Sequence, residues 1–144
     1  MYRLETHIAI DAPIERVWSL LMDCPGHARW NPFIRSVEGR PEVGQSLNVF
    51  IQPPGGRGRW FRPTVLAAEP NRALRWKGKL RLPGVFDGEH FFEIAPNPAG
   101  GLTFHHGEVF SGILVPLFRG LLDGEIREGF IAMNEALKRE AETG

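Results

Sequence analysis

The residues best suited to chemistry lie in one short stretch, HHGEVFSGIL at 105–114. Read as a strand with the residues before it, Leu102, Phe104, His106, Glu108 and Phe110 share one face, and Thr103, His105, Gly107, Val109 and Ser111 the other. A histidine and a glutamate therefore sit on the apolar side. The segment 85–95 alternates in the same way and forms a hairpin with it through the turn PNPAGG. Setting Ile94 opposite Leu102 puts Phe92 opposite Phe104, His90 opposite His106, Gly88 opposite Glu108 and Phe86 opposite Phe110. In that register His90, His106 and Glu108 lie on one face, about 5–8 Å apart by Cβ spacing. Gly88 leaves room for the carboxylate or for a ligand atom.

Such a group has several uses. In a purely structural role the two imidazoles satisfy each other or nearby backbone, and Glu108 reaches water or an arginine such as Arg62. In recognition, the three groups hydrogen-bond a hydroxyl, carbonyl or carboxylate of a mainly apolar molecule, since ligand pockets are apolar with a few placed polar groups. In catalysis, a carboxyl taken out of water holds its proton more tightly and a histidine shuttles protons near neutrality. Together they suit proton removal beside a carbonyl, as in aldol-type cyclisation or dehydration. Two histidines and a carboxylate also make up an iron-type triad, but here both histidines lie on adjacent strands of one sheet. No metal and no cofactor is expected.

The elements that must position these side chains are legible from their periods. Residues 3–10 alternate and form a strand. Asp11 is placed to cap a helix with Pro13 in its first turn, carrying Val17, Trp18, Leu20, Leu21 and Met22 and broken by CPG at 24–26. A second short helical turn ends near Trp30, before Asn31-Pro32. From 33 to 113 the chain is β in character: 33–38, a strand around Leu47, Val49 and Ile51, 60–68, 72–82, 85–95 and 102–113, separated by turn signals. In 72–82, Leu74, Trp76 and Leu80 face one way and Arg75, Lys77, Lys79 and Arg81 the other, a row read as a solvated outer face. From 116 to about 141 the period changes. Phe118, Leu122, Ile126, Phe130, Met133 and Leu137 form the stripe of one long helix. Gly120 and Gly124 lie within it, each costing about 1 kcal/mol relative to alanine. Close approach of another segment, or a loosened stretch at 115–124 bordering a cavity mouth, would explain them.

The architecture expected is α+β: a seven-stranded, curved antiparallel sheet wrapped around a long C-terminal helix, with two short helices after the first strand. A twisted sheet and a straight helix do not pack flush everywhere, so a cavity between them is expected. Its lining would be Leu74, Trp76, His90, Phe92, Phe104, His106 and Glu108 from the sheet and Phe118, Leu122, Ile126 and Phe130 from the helix.

The chain has 144 residues, 42% hydrophobic and 24% charged, with formal net charge zero. That is ordinary globular composition for one domain spanning 1–144. A neutral balance argues against nucleic acid as partner. No apolar run is long enough for a membrane span, and the N-terminus has no signal-peptide pattern, so a cytoplasmic protein is expected; oligomeric state is left open. The lone Cys24 reads as a small buried residue. GGRGRW at 55–60 lies between strands with no helix after it, so it reads as a hairpin turn and not as a phosphate loop. GxSxG is absent.

Four stretches, IDAPIERVWSLLMDCPGHARWNPF, EPNRALRWKG, GEHFFEIAPNPAGGLTFHHGEVFSGIL and FIAMNEALKREAE, carry a resemblance that spans the chain in order. It resembles the START-like helix-grip (SRPBCC) superfamily, and within it the small bacterial proteins grouped as polyketide cyclase/dehydrase and lipid transport. The resemblance implies the helix-grip fold and a small apolar ligand such as a lipid, polyketide or aromatic metabolite. It implies as the alternative a cyclase or dehydratase with Glu108, His106 and His90 as acid/base candidates. A third implication is a protein-interaction module like the superfamily's chaperone co-activators, which requires a collapsed cavity and an exposed apolar patch.

Overall fold

The computed structural model describes residues 1–79 and 84–143; Leu80 and Arg81, placed above on opposite faces of a strand, lie outside the described residues. The element order is β1 (Tyr2–Ile10), α1 (Ile14–Met22), α2 (His27–Trp30), β2 (Ile34–Glu38), β3 (Asn48–Ile51), β4 (Arg59–Phe61), β5 (Thr64–Glu69), β6 (Ala73–Lys79), β7 (Asp87–Pro96) and β8 (Leu102–Ser111). Then follow α3 (Val115–Leu121), a π-helical turn (Leu122–Ile126) and α4 (Arg127–Thr143).

The strands form two sheets, five-stranded β1-β8-β7-β6-β5 and three-stranded β2-β3-β4, all antiparallel. Among the described residues, the expectation of seven strands in one sheet is corrected to eight in two. Pro63 is the reason: it has no N–H to give a ladder, so the run from Trp60 to Ala68 divides into β4 and β5. The sheets remain stitched by Leu47 N–H to Pro63 O at 2.9 Å and Val65 N–H to Gln45 O at 2.9 Å. The 69–71 turn is as tight as expected, with Arg72 N–H bonded to Glu69 O at 3.0 Å and Asn71 left-handed at φ 64°.

Along β1, Leu4, Thr6 and Ile10 are buried while Arg3, Glu5, His7 and Ala9 are exposed, so the sheet has one inner face that needs a cover. α4 supplies it, with Phe130, Met133 and Leu137 fully buried. The first helix is not capped by Asp11. Pro13 occupies the N-cap without a side-chain bond, and Asp11 instead donates its backbone N–H to the Glu142 carboxylate at 2.8 Å, tying the end of β1 to α4. Among the described residues no helix is long and apolar enough to cross a membrane.

The C-terminal helical run is continuous but not uniform, because its junction residues Leu121, Leu122 and Arg127 all keep right-handed helical angles across the π turn. The stripe explains the turn. Phe118, Leu122, Ile126 and Phe130 are spaced by four, and each such step overshoots a 3.6-residue turn by about 40°. A wider i→i+5 turn absorbs the overshoot and keeps the stripe on the sheet. A Cβ added at Gly120 or Gly124 would meet nothing within 4 Å. Close approach therefore does not account for either glycine. Close approach occurs instead at Gly129, where a Cβ would lie 2.3 Å from the Phe33 ring. Phe33 in turn packs edge-on against Phe130, ring centroids 5.4 Å apart.

These contacts order three substitutions. Gly129→Ala forces Phe33 out of place and is expected to cost about 1–3 kcal/mol in urea unfolding. Gly120→Ala and Gly124→Ala are expected to be neutral or to stabilise by up to about 1 kcal/mol. Equal destabilisation by all three would contradict the packing described.

Candidate functional site

The site is built on the β7–β8 hairpin. Asn97 N–H bonds Gly101 O at 3.0 Å, and Gly100 and Gly101 take φ of 110° and 70°, which closes the turn directly after Pro96. β7 therefore runs one residue further than expected, with Pro96 opposite Leu102. The register is corrected by two residues: Ile94 pairs with Phe104, Phe92 with His106, His90 with Glu108 and Gly88 with Phe110. Because side chains alternate with period two, a two-residue shift changes neighbours but not faces. His90, His106 and Glu108 still share the inner face.

There the two imidazoles end a hydrogen-bonded chain, with Glu108 just beyond it. Thr6 Oγ1 donates to His106 O at 2.8 Å, and Asn134 Nδ2 donates to Thr6 Oγ1 at 2.8 Å. Asn134 Oδ1 faces His106 Nδ1 at 2.9 Å, and His106 Nε2 faces His90 Nε2 at 2.7 Å. His90 Nδ1 lies 3.3 Å from Glu108 Oε1. Thr6, His90, His106 and Asn134 are all buried; the Glu108 side chain is 18% exposed. Burial, and next the facing His90, hold His106 well below the ordinary histidine range, against hydrogen bonding from Asn134 and the Phe130 backbone. His106 is thus a neutral imidazole.

Four of the remaining expected lining residues, Trp76, Phe92, Phe104 and Phe130, close around the imidazoles, and Leu74 is buried opposite Phe92. His106 stacks on Phe130 at 4.2 Å and 11°, His90 stacks on Phe92 at 4.6 Å, and Trp76 meets Phe92 edge-on at 5.0 Å. At this level sheet and helix are in contact, so His90 and His106 point inward as expected but onto each other and aromatic rings instead of into a hollow. Phe118 has its ring contact elsewhere, while Leu122 is buried in the core and Ile126 packs against it. Phe118 packs on Phe86 at 5.3 Å and Phe86 on Phe110 at 5.7 Å; Phe86, Phe118 and Ile126 are half-buried. A Cβ at Gly88 would lie 2.0 Å from Glu108 Oε2, so the carboxylate lies over that glycine, as its missing side chain allows. The β3–β4 loop reaches the π turn, a Cβ at Gly56 falling 3.5 Å from Glu125 Oε2. Two clefts, of about 290 and 300 Å³, open elsewhere: one between Ile10, Asn97 and Lys138, the other between Arg62, Leu66, Lys77 and Asp87.

Thr6 and Asn134 were not among the expected site residues. Both carried a signal: Thr6 interrupts the inner row Leu4, Ile8, Ile10, and Asn134 lies one turn from Phe130 on the buried stripe. A second unexpected polar node ties the α2 segment. His27 Nε2 donates to Leu21 O at 2.9 Å, Asn31 Nδ2 donates to His27 Nδ1 at 3.0 Å, and Asn31 Oδ1 accepts from the N–H groups of Phe33 and Ile34. On the outer face, Arg75 is paired with Glu93 and Glu89, so the cationic row is partly neutralised within the sheet. Cys24 is buried, and burial with Asp23 nearby pushes its thiol up. Among the described residues no group of three or more metal-ligating side chains is assembled.

The family described as polyketide cyclase/dehydrase and lipid transport matches residues 1–142. No curated protein matches the chain. Among solved structures, the di-domain aromatase/cyclase BexL of the BE-7585A biosynthetic pathway superposes with a TM-score of 0.79 at 17% identity, over 98% of this chain and 50% of BexL. DynU16, from the dynemicin biosynthetic locus, gives 0.73 at 20% identity, over 99% of this chain and 48% of its own. The chain thus spans about half of each of these proteins. CV1439 from Chromobacterium violaceum gives 0.72 at 18% identity, over 99% of both chains. At these identities the likeness is one of fold.

The two buried neutral histidines set a pH dependence. Burial lowers His27 and lowers His106 further; unfolded, both return to about 6.5. Below that value the unfolded chain binds more protons than the folded one, so stability falls with falling pH. The urea midpoint is expected to be level above about pH 7 and to decline from about pH 6.5 downward. A midpoint that rises on acidification from pH 7 to pH 5.5 would contradict it.

Proposed function

Because the chain belongs to the polyketide cyclase/dehydrase and lipid transport family, we propose that it binds a small, mainly apolar molecule at the Glu108 end of the sheet–helix interface. The ligand would be a lipid, polyketide or aromatic metabolite. The observation that carries this reading is Glu108 itself: a partly exposed carboxyl on an aromatic inner face, at the end of a buried polar chain. The half-buried rings of Phe86 and Phe118 and the side chain of Ile126 supply apolar contact beside it. Entry is by displacement of α3 and the π turn. That stretch carries two glycines with open space around them and exposes Leu117 and Leu121, features of a segment with little holding it down.

A second reading, an enzyme, is favoured by the hydrogen bonding. Glu108 backed by His90 and His106 is a base with a route for its charge to spread, suited to removing the proton between two carbonyls in a cyclisation. The third, a protein-interaction module, is favoured by the closed aromatic level and by Ile113, Leu117 and Leu121, exposed at 79%, 76% and 45%.

Native mass spectrometry of freshly purified protein is expected to show a retained small molecule. The neutral probe N-phenyl-1-naphthylamine is expected to shift the ring resonances of Phe86, Phe110 and Phe118. If neither occurs, ligand binding falls and the exposed α3 patch is what remains to be explained. Given a bound ketone substrate, Glu108→Gln separates binder from enzyme: affinity within a few-fold with turnover abolished marks a catalytic base, whereas a binder has no turnover to lose.

A further inference from the structure

We propose that the ligand's polar group at Glu108 is a hydrogen-bond donor, an alcohol or phenol hydroxyl on an otherwise apolar molecule, and not a ketone or a carboxylate. The inference rests on the reading that a small molecule reaches this end of the site, and follows from counting protons along the chain behind it.

Thr6 has one hydroxyl hydrogen, and it is given to His106 O. The oxygen must therefore receive from Asn134, which places Nδ2 toward Thr6 and Oδ1 toward His106. An amide oxygen only accepts, so His106 carries its hydrogen on Nδ1. A neutral imidazole has one hydrogen, so His106 Nε2 is a lone pair and the bond across 2.7 Å is donated by His90 Nε2. His90 Nδ1 then lies 3.3 Å from Glu108 Oε1, which turns that oxygen to the imidazole. Glu108 Oε2 is left for a ligand, and a carboxylate oxygen only accepts.

Reversing the whole chain gives the same answer. If the Asn134 amide turned over, His106 would donate through Nε2 to His90 and the His90 hydrogen would sit on Nδ1, on the side of Glu108 Oε1, and Oε2 would again be the oxygen left to accept. Both nitrogens of each imidazole are occupied in both arrangements, and Thr6 and Asn134 are buried, so no donor behind Glu108 is free to meet a carbonyl. Among the described residues His90 is also the one ion-pair partner of Glu108, so no second cation is placed beside it to hold a carboxylate. A ketone or carboxylate would set lone pairs against lone pairs; a hydroxyl completes the chain.

The test is calorimetry at pH 7.5 with five bicyclic probes of one shape: 2-naphthol, 2-methoxynaphthalene, 2-acetonaphthone, 2-naphthoate and naphthalene. They are titrated into the wild type, Glu108→Gln and Glu108→Leu, each shown folded by thermal unfolding. Expected is 2-naphthol at least about tenfold tighter than the other four in the wild type. Glu108→Gln keeps the preference where His90 Nδ1 accepts, because the amide nitrogen turns to it and leaves an oxygen accepting, and loses it where His90 Nδ1 donates, so this variant reports which arrangement holds. The preference should vanish in Glu108→Leu. Probes that all bind with equal affinity, or a naphthoate or acetonaphthone that binds tighter than the naphthol, would overturn the hydroxyl inference and leave apolar binding standing. If no probe binds, the binding reading falls and the inference with it.

Discussion

The structure depends on one requirement: polar groups placed inside an aromatic layer must all be satisfied there. Thr6, His90, His106 and Asn134 are buried between the sheet and α4, among Trp76, Phe92, Phe104 and Phe130. An unpaired polar group in such surroundings costs about 1–3 kcal/mol. The chain from the His106 carbonyl through Thr6, Asn134 and His106 to His90 meets the requirement with side chains of β1, β7, β8 and α4 alone. Those bonds form only if the helix sits at one height and one rotation on the sheet. Apolar contact alone would let α4 slide; the hydrogen bonds set its register, as fully satisfied buried networks do.

The network's hydrogen bonds end at His90, and the partly exposed Glu108 lies 3.3 Å beyond it. The aromatic rings that hold the imidazoles in place also fill the space between sheet and helix at their level. The C-terminal helix is divided accordingly. From Gly129 onward it is pinned by Gly129 against Phe33, by Asn134, and by Lys138 donating to Ala9 O at 2.8 Å. Before Ile126 it has a π turn and two glycines with nothing against them. Close packing and open surroundings thus lie in successive parts of one element.

Much of this was legible without coordinates. The periods of β1, β7, β8 and the terminal stripe fix which side chains look inward, because period two and period 3.6 are set by backbone geometry and not by partners. Pro63 and the turn at 97–101 were visible as residues, but not their consequences. Where a proline splits a strand, and whether a glycine-rich turn closes after Ala95 or Pro96, are decided by which backbone hydrogen bonds the neighbouring strands complete.

So the sequence by itself determined the helix-grip order of elements and the face of His90, His106 and Glu108, since both follow from local alternation. Tertiary structure alone decided that Glu108 stands opposite His90, that Asn134 and Thr6 finish the chain 28 and 100 residues from His106, and that the imidazoles meet rings instead of open space. The reason is that hydrogen-bond partners and packing gaps depend on the separation of elements distant in the chain, and no local period encodes that distance.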